Sequence, residues 1–281
     1  MTESMIVVTT LEELFSARSL LPAPVGLIPT MGYLHAGHIS LVQQAAKECK
    51  SIIATIFVNP TQFGPKEDLG KYPRNVERDL QLLGEAGVNI VWMPTVDVMY
   101  PVGYQTWVDV EFLTKPLEGS MRPGHFRGVT TVVTKLFNAT RPDKAYFGQK
   151  DAQQAAVIRQ MTRDLSYPIE IVICPTLRES DGLAMSSRNS YLDDPQRRAA
   201  IVLYRALESA RAAYLEGERS AGKLRQVVTN IIEGEPQAQL LYVSCADFVT
   251  LEELEMVNAK ALLSLVVFVG KTRLIDNLIL E

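Results

Sequence analysis

The sequence predicts an α/β protein: a Rossmann-like parallel sheet with helices on both faces, followed by a smaller C-terminal α+β domain. Short runs rich in Val and Ile alternate with longer segments of helical periodicity through the first two thirds of the chain. The run SIIATIFV is apolar at nearly every position, as expected for a strand that is covered on both faces. After Pro175 this alternation stops at a polar stretch rich in Ser, Asp and Gly.

The individual elements follow from these patterns in chain order. We expect strands at residues 5–8, 25–29, 51–58, 88–93, 144–147 and 169–174, and helices at residues 11–20, 37–47, 75–85, 129–138 and 152–165. Beyond the polar stretch we expect a long helix at residues 196–216 with Asp193 or Asp194 as its cap, a helix at 221–233, and strands at 240–247 and 261–270. The predicted domains are therefore residues 1–176 and residues 177–281, with the MSSR loop at the start of the second.

The composition argues against a nucleic-acid-binding protein. The 281 residues include 28 Lys and Arg against 32 Asp and Glu, which gives a net charge of -4. A protein whose main work is to neutralise nucleic-acid phosphates carries the opposite balance. A small anionic ligand held in a local basic pocket is compatible with this charge.

The cysteines and the apolar runs predict a cytoplasmic protein. Cys49, Cys174 and Cys245 are far apart and form no C-x-x-C pair, so neither a zinc ribbon nor a disulfide framework is expected. The N-terminal MTESMIVV carries an acid in place of the basic region of a signal peptide. The apolar run at residues 261–270 is shorter than the roughly 20 residues of a membrane span and is predicted to be a buried strand.

The segment PTMGYLHAGHIS, residues 29–40, carries the strongest chemical signal. It follows a predicted strand and begins a predicted helix, where unpaired N–H groups and the helix dipole favour an anion. His35 and His38 are three residues apart, so both imidazoles are expected on one face of the first turn, and Gly37 lets a ligand approach the backbone closely. This arrangement suits a phosphate chain; the alternative is two core or capping histidines.

Two further segments offer cationic groups. In MSSRN, Ser186, Ser187 and Arg188 supply hydroxyls and a guanidinium that can neutralise charge on a leaving group. In FGQKDAQQ, Lys150 follows the carboxyl end of a predicted strand, where ligands of open α/β sheets bind, and Gln154 lies one helical turn further on. The alternatives are an ordinary polar loop and a solvated lysine before a helix cap.

The segments FVNPTQFGP and MRPGHFRG carry weaker signals. Asn59 and Gln62 follow the strand predicted at residues 51–58 and offer neutral donors and acceptors, although Asn-Pro turn chemistry also explains them. Arg122, His125 and Arg127 are expected to form a local basic cluster for a small anionic substrate. A solvated loop is the alternative for this second segment.

Several common catalytic motifs are absent from the sequence. It contains no H-E-x-x-H, no G-x-S-x-G and no G-x-G-x-x-G. GERSAGKL, residues 217–224, matches part of a P-loop, but Leu224 replaces the Ser or Thr that holds Mg²⁺ and a predicted helix precedes it. We therefore interpret this segment as a turn between two helices.

The motifs together resemble one known family. PTMGYLHAGH is similar to the histidine motif of the nucleotidyltransferase superfamily, whose members activate carboxylates or phosphates with ATP. FVNPTQF, YPRNVERD, RPGHFRGV, FGQKDAQQ and LAMSSRNSYL occur in the order and spacing of the pantothenate synthetase family. This resemblance runs from about Val25 to Leu192, and the last third contributes mainly its element order and the closing KTRLIDN, residues 271–277. Gln149 stands where the family commonly has Glu, and a backbone role would tolerate that change.

The resemblance implies a two-step ligation. The carboxylate of pantoate attacks the α-phosphorus of ATP, which gives pantoyl adenylate and pyrophosphate. The amine of β-alanine then attacks the adenylate and releases AMP. Mg²⁺ is expected to accompany the ATP phosphates, with no metal site made by the protein alone. Members of the family are typically cytoplasmic homodimers.

The resemblance also implies roles for single positions. His38 takes the place of the acid, and His35, Lys150, Ser186 and Arg188 are expected to act with it on the phosphates. The residues expected to bind ATP, with Leu177 at adenine through its backbone, are Met31, Gly32, Tyr33, Leu34, His35, Ala36, Gly37, His38, Gly148, Gln149, Lys150, Asp151, Leu177, Met185, Ser186, Ser187 and Arg188. Pantoate is expected at Gln62 and Gln154, and β-alanine or Mg²⁺ near Gln62, Asn59, Tyr72, Arg122 and His125.

Two other functions stay open at this point. One is an enzyme of the same superfamily that transfers a nucleotidyl group and needs no amine site. The other is a regulatory module that binds a nucleotide without catalysis. A tRNA synthetase is disfavoured because the chain lacks a basic face for RNA and has little room for an anticodon-binding module.

Overall fold

A computed structural model describes residues 5–65 and 67–281; residues 1–4 of the N-terminal MTESMIVV lie outside the described residues. The chain forms two compact units, Met1–Gly148 with Gln153–Pro175, and Gln149–Ala152 with Thr176–Glu281. The short segment Gln149–Ala152 thus groups with the second unit, although the residues before and after it in the chain belong to the first. The domain bounds predicted from the sequence stay a prediction.

The first unit is built on a parallel sheet of six strands. They are β1 (Ile6–Val8), β2 (Val25–Thr30), β3 (Ser51–Ile56), β4 (Ile90–Trp92), β5 (Lys144–Gly148) and β6 (Glu170–Cys174). The strand order is β1-β4-β3-β2-β5-β6, and all neighbours are parallel. The order reverses between β2 and β5, so the loops after these two strands leave on either side of the point where α/β sheets bind ligands.

Helices cover both faces of this sheet, as the sequence predicts. Successive residues of a strand face opposite sides, so Leu27 packs in one core and Ile28 in the other. The helices are α1 (Leu11–Ser19), α2 (Ala36–Glu48), α3 (Val76–Glu85), α4 (Val96–Met99), α5 (Glu118–Met121), α6 (His125–Thr140) and α7 (Ala152–Asp164). Helices α2 and α3 contribute to the core that contains Ile28, whereas α1, α6 and α7 contribute to the opposite core.

The start of α6 corrects a prediction. The sequence predicts a helix from residue 129, but α6 begins four residues earlier, at His125. Gly124 precedes the helix with a φ of 83°, a left-handed conformation that glycine adopts without steric cost. His125 and Phe126 are therefore buried in the first turn of a helix.

The second unit is a smaller α+β structure. Three antiparallel strands form its sheet in the order β7 (Ala238–Asp247), β8 (Ala261–Val269) and β9 (Thr272–Leu280). The helices are α8 (Asp194–Ala199), α9 (Val202–Leu215) and α10 (Ala221–Glu233). Leu203 of α9 and Leu224 of α10 are fully buried together with Leu263 of β8.

In the second unit one prediction was wrong, one strand was not predicted, and one prediction was confirmed. The single helix predicted at residues 196–216 is two helices, because the N–H of Leu203 donates to the carbonyl of Ala200, three residues back, and interrupts the regular ladder. Strand β9 was not predicted, since Asp276 and Asn277 are unfavourable strand residues. GERSAGKL contains the predicted turn between two helices, with Ser220 as the cap of α10 and residues 221–224 as its first turn.

The helices of the described residues include none that is both long and apolar enough to cross a membrane.

Candidate active site

The histidine motif forms the start of α2, directly after the buried strand β2. His35 is the N-cap residue, and its Nδ1 accepts a hydrogen bond from the N–H of Gly37 at 3.1 Å. The Nδ1 of His38 accepts the N–H of His35 at 3.3 Å. The two rings lie side by side with centroids 4.1 Å apart. The predicted placement of both imidazoles at one helix N-terminus is therefore what the structure contains.

These two hydrogen bonds assign the proton of each ring. A nitrogen that accepts a backbone N–H carries no proton, so each neutral imidazole is protonated at Nε2. The Nε2–H groups of His35 and His38 are donors, and they belong to a helix end that already favours negative charge. The two histidines therefore cap the helix, which the sequence left as an alternative, and they also carry the N–H donors expected of a phosphate site.

A buried carboxylate holds the loop that precedes the two histidines. Asp79 of α3 accepts the N–H groups of Tyr33 and Leu34, each at 2.7 Å, and Arg78 donates to the carbonyl of Leu34 at 2.8 Å. Gly32 has a φ of 84°, and a Cβ there would lie 3.1 Å from an oxygen of Asp79. This loop therefore depends both on a glycine and on the carboxylate beside it.

Sequence reasoning missed the role of Asp79. A signal was present, because Asp79 and Leu83 are four residues apart and so lie on one face of the predicted helix. Both are buried, with exposed fractions of 1% and 0%. An acidic residue on the apolar face of a helix indicates a buried partner for its charge.

Gln62 lies beside the histidine motif, in the turn that follows β3. Its Nε2 donates to the Sδ of Met31 at 3.3 Å, and its Oε1 accepts from Nδ2 of Asn59 at 3.1 Å. Asn59 is itself buried and also accepts from the hydroxyl of Tyr100 at 2.8 Å. The structure thus brings together three residues predicted for the site, and it fixes which end of the Gln62 amide faces Asn59.

Arg122 and His125 contact the backbone of the same turn at the carbonyl of Gln62. Nδ1 of His125 lies 2.8 Å from the carbonyl oxygen of Gln62, so this nitrogen carries the proton and donates. Nε2 of His125 lies 3.1 Å from Nη1 of Arg122 and accepts. Arg122 also donates to both carboxylate oxygens of Glu67, at 2.8 and 2.6 Å. Both ring nitrogens of His125 are therefore engaged within the protein.

The predicted basic cluster of three residues was wrong. Arg127 is exposed and lies over the ring of Trp107, 5.0 Å from its centroid, whereas Arg122 faces Glu67 and Glu118. Burial lowers the pKa of His125 to about 4, and the charge of Arg122 adds to this effect. His125 is thus neutral at physiological pH, and the carboxylates compensate the charge of Arg122.

The second unit holds the lysine and the serine-rich segment around one small cavity. The cavity is lined by Lys150, Leu183, Ala184, Ser186, Asn189, Leu203, Leu274, Ile275 and Asp276. Oγ of Ser186 accepts the N–H of Arg188 at 3.2 Å and so caps the 3₁₀ turn Ser187–Tyr191. The carbonyl of Leu177 accepts the N–H of Met185 at 3.0 Å. Lys150 and Ser186, which come from two separate segments predicted to bind ATP, therefore line the same cavity within this unit.

The remaining predicted residues have ordinary local placements. Tyr72 is buried and meets Phe63 edge to face, with centroids 6.0 Å apart. Gln154 is half-buried in the first turn of α7, Gly148 ends β5, and Asp151 is exposed. The substrate roles expected for the site residues stay predictions.

No metal-binding cluster is found among the described residues. Within residues 5–65 and 67–281, no group of three or more His, Cys, Asp and Glu side chains could hold a metal ion.

The pKa of His125 predicts a specific dependence of stability on pH. The pKa of His125 is about 4 in the folded protein and 6.5 in the unfolded chain. Between these pH values the unfolded chain binds a proton at His125 that the folded protein does not bind. The stabilisation that the neutral ring contributes is present above pH 6.5 and is lost as the pH falls towards 4. It amounts to about 3 kcal/mol.

Denaturant unfolding at a series of pH values measures this effect. We expect the free energy of unfolding to fall more steeply between pH 6.5 and 4 for the unsubstituted protein than for His125→Asn, which keeps a donor towards Gln62 but does not titrate. Parallel curves for the two proteins would show that His125 has an ordinary pKa.

Comparison with known proteins places the chain in a family. A family model described as Pantoate-beta-alanine ligase matches residues 6–279. The pantothenate synthetase of Herpetosiphon aurantiacus is 59% identical over 277 residues, 98% of this chain and 100% of that protein. The crystal structure of pantothenate synthetase from Thermus thermophilus has a TM-score of 0.93 at 46% identity and covers 98% of this chain and 99% of that one. A pantoate-β-alanine ligase from Francisella tularensis, complexed with β-γ ATP and β-alanine, has a TM-score of 0.80 at 33% identity and covers 98% of this chain and 97% of that one. The chain belongs to the pantoate-β-alanine ligase family.

Proposed function

We propose that this protein joins pantoate to β-alanine with ATP and releases pantothenate, AMP and pyrophosphate. The observation that carries the proposal is the histidine motif at the start of α2, where two imidazoles each accept a backbone N–H at Nδ1 and present a proton at Nε2. Membership of the ligase family over residues 6–279 supports the same substrates.

In the first step, a carboxylate oxygen of pantoate forms a bond to the α-phosphorus of ATP, and the bond to pyrophosphate breaks. Negative charge grows on the phosphoryl oxygens and on the departing pyrophosphate. Fixed donors aimed at these oxygens lower the barrier, each by about 3 kcal/mol. His38, in the position of the acid, donates a hydrogen bond from Nε2 to these oxygens, and His35 donates beside it. Lys150 and Arg188 supply positive charge, with Ser186 as a further donor.

In the second step, the amine of β-alanine attacks the acyl carbon of pantoyl adenylate and AMP leaves. We assign pantoate to Gln62 and Gln154, whose amides can both donate and accept. The amide of Gln62 is held by Asn59 and Met31, so its orientation is set before substrate binds. Gln62 also borders the β-alanine position. A reactive adenylate held in a closed pocket meets the amine at a high effective concentration and is protected from water.

The proposal also includes Mg²⁺ bound together with ATP, a location in the cytoplasm and assembly of the protein as a homodimer. Phosphate oxygens provide the hard ligands that Mg²⁺ prefers. The ion would neutralise charge on the phosphates of bound ATP. Analytical ultracentrifugation of the purified protein tests the homodimer.

The ligation is separated from its alternatives by its products. With ATP and pantoate we expect pyrophosphate release, and we expect release of AMP to depend on added β-alanine. AMP release that ignores β-alanine would favour an enzyme that transfers a nucleotidyl group and stops there. No pyrophosphate with pantoate present would favour a regulatory module that binds a nucleotide without catalysis.

Lys150→Ala is expected to slow formation of the adenylate by orders of magnitude while the protein stays folded, because a cation beside the phosphates is lost. Pyrophosphate release in rapid-mixing experiments measures the rate, and circular dichroism measures the fold. Near-normal turnover in this variant would remove the lysine from the mechanism.

His38→Ala is expected to lower kcat much more than it raises the KM for ATP. A group that acts mainly in the transition state changes kcat most. Steady-state kinetics with ATP as the varied substrate decides between the two effects. A change confined to the KM for ATP would contradict the role of His38 as the acid.

A further inference from the structure

The closing motif KTRLIDN, residues 271–277, has no role in the ligation as described so far. Its last two residues lie in strand β9 of the second unit and are almost fully buried, with exposed fractions of 2% for Asp276 and 4% for Asn277. Asp and Asn are poor strand residues, and burial of a charge or of a free amide is costly. Their partners therefore indicate what they do.

The side-chain amide of Asn277 is fully used on the segment that contains Lys150. Its Nδ2 donates to the carbonyl of Gln149 at 3.1 Å and to the carbonyl of Lys150 at 2.9 Å. Its Oδ1 accepts from Nε2 of Gln149 at 3.1 Å. Two donors and one acceptor on a single planar group are a set that an amide provides and a carboxylate does not. Asn277 thus fixes the backbone from which the lysine side chain extends.

The carboxylate of Asp276 is held by Arg178 in a two-pronged ion pair, with N–O distances of 2.6 and 3.0 Å. Arg178 also donates to the carbonyl of Gly182 at 3.1 Å, and its guanidinium lies 4.3 Å from the centroid of the Tyr204 ring. One arginine therefore ties β9 to the residues that lead into Ser186. The backbone N–H of Asn277 donates to Oδ1 of Asp276 at 2.8 Å and joins the two arrangements.

We propose that Asp276 and Asn277 are positioning residues for adenylate formation. Asn277 holds the backbone at Lys150, and Asp276 holds through Arg178 the residues that precede Ser186. Lys150, Ser186 and Asp276 line one cavity, so small movements of either segment change the same site. The inference rests on the role proposed for Lys150. A long lysine side chain reaches a defined point only if its backbone is fixed, and a transition state gains from donors that are already in place.

A purely structural role of Asn277 is the competing explanation, and a double-mutant cycle distinguishes the two. If Asn277 acts through Lys150, substitution of Asn277 lowers the adenylation rate little in a protein that already lacks the lysine. If the two residues act independently, the fold losses in rate multiply in the double variant. The variants are Asn277→Ala, Lys150→Ala and the double variant, measured by single-turnover pyrophosphate release with protein in excess over ATP. Gln149→Ala, which leaves β9 intact and removes the donor to Oδ1 of Asn277, is the second probe in case Asn277→Ala does not fold.

We expect Asn277→Ala to lower the adenylation rate roughly 10- to 100-fold and to leave the KM for ATP within about 3-fold, in the range of a displaced catalytic group. Gln149→Ala should lower the rate less. Each double variant with Lys150→Ala should lie within about 3-fold of Lys150→Ala alone. The control is Asn230→Ala at an exposed position of α10, which should match the unsubstituted protein.

Multiplying losses in the double variants, or an unchanged rate in both single variants at positions 277 and 149, would overturn the inference and leave the proposed function standing. Absence of pantoate-dependent pyrophosphate from the unsubstituted protein would overturn the proposed function, and the positioning role would fall with it.

Discussion

Hydrogen bonds from backbone N–H groups to imidazole nitrogens are the interaction on which the candidate site depends. His35 accepts from Gly37, and His38 accepts from His35, each through Nδ1. The same two bonds cap helix α2 and decide that the ring protons reside on Nε2. A ring protonated at Nδ1 would lose its backbone donor and leave an N–H of the first turn unsatisfied. The start of the helix and the protonation state of the two donors are therefore coupled.

In both units a buried carboxylate accepts hydrogen bonds from the backbone. In the first unit, Asp79 accepts the N–H groups of Tyr33 and Leu34. In the second unit, Asp276 pairs with Arg178 and accepts a backbone N–H. A buried carboxylate is tolerated only when hydrogen-bond donors surround it. The segments that supply these donors are therefore held in place by the carboxylate. The groups assigned to pantoate and to the acid of the first step are instead amides and imidazoles, and they are only half-buried.

The sequence predicted most of the elements because burial imposes periodicity. Strands β2 and β3 are buried at nearly every position, since helices cover both faces of a parallel sheet. The predictions failed where a specific contact replaced a regular pattern. Strand β9 contains Asp276 and Asn277, whose preferences are outweighed by their partners in the folded unit. The helix predicted at residues 196–216 is divided by one three-residue hydrogen bond at Ala200, which leaves no mark on the periodicity.

The sequence by itself determined the layered α/β architecture, the two imidazoles at a helix start and the chemical types of the groups that surround an anion. These follow from local spacing and from the alternation of apolar residues. Only the tertiary structure decided that His125 is a neutral ring under Gln62, that Arg127 turns towards Trp107, and that Asn277 holds the backbone at Lys150. The physical reason is that hydrogen-bond partners far apart in the chain, and the burial that shifts the pKa of a ring, exist only after the chain has folded.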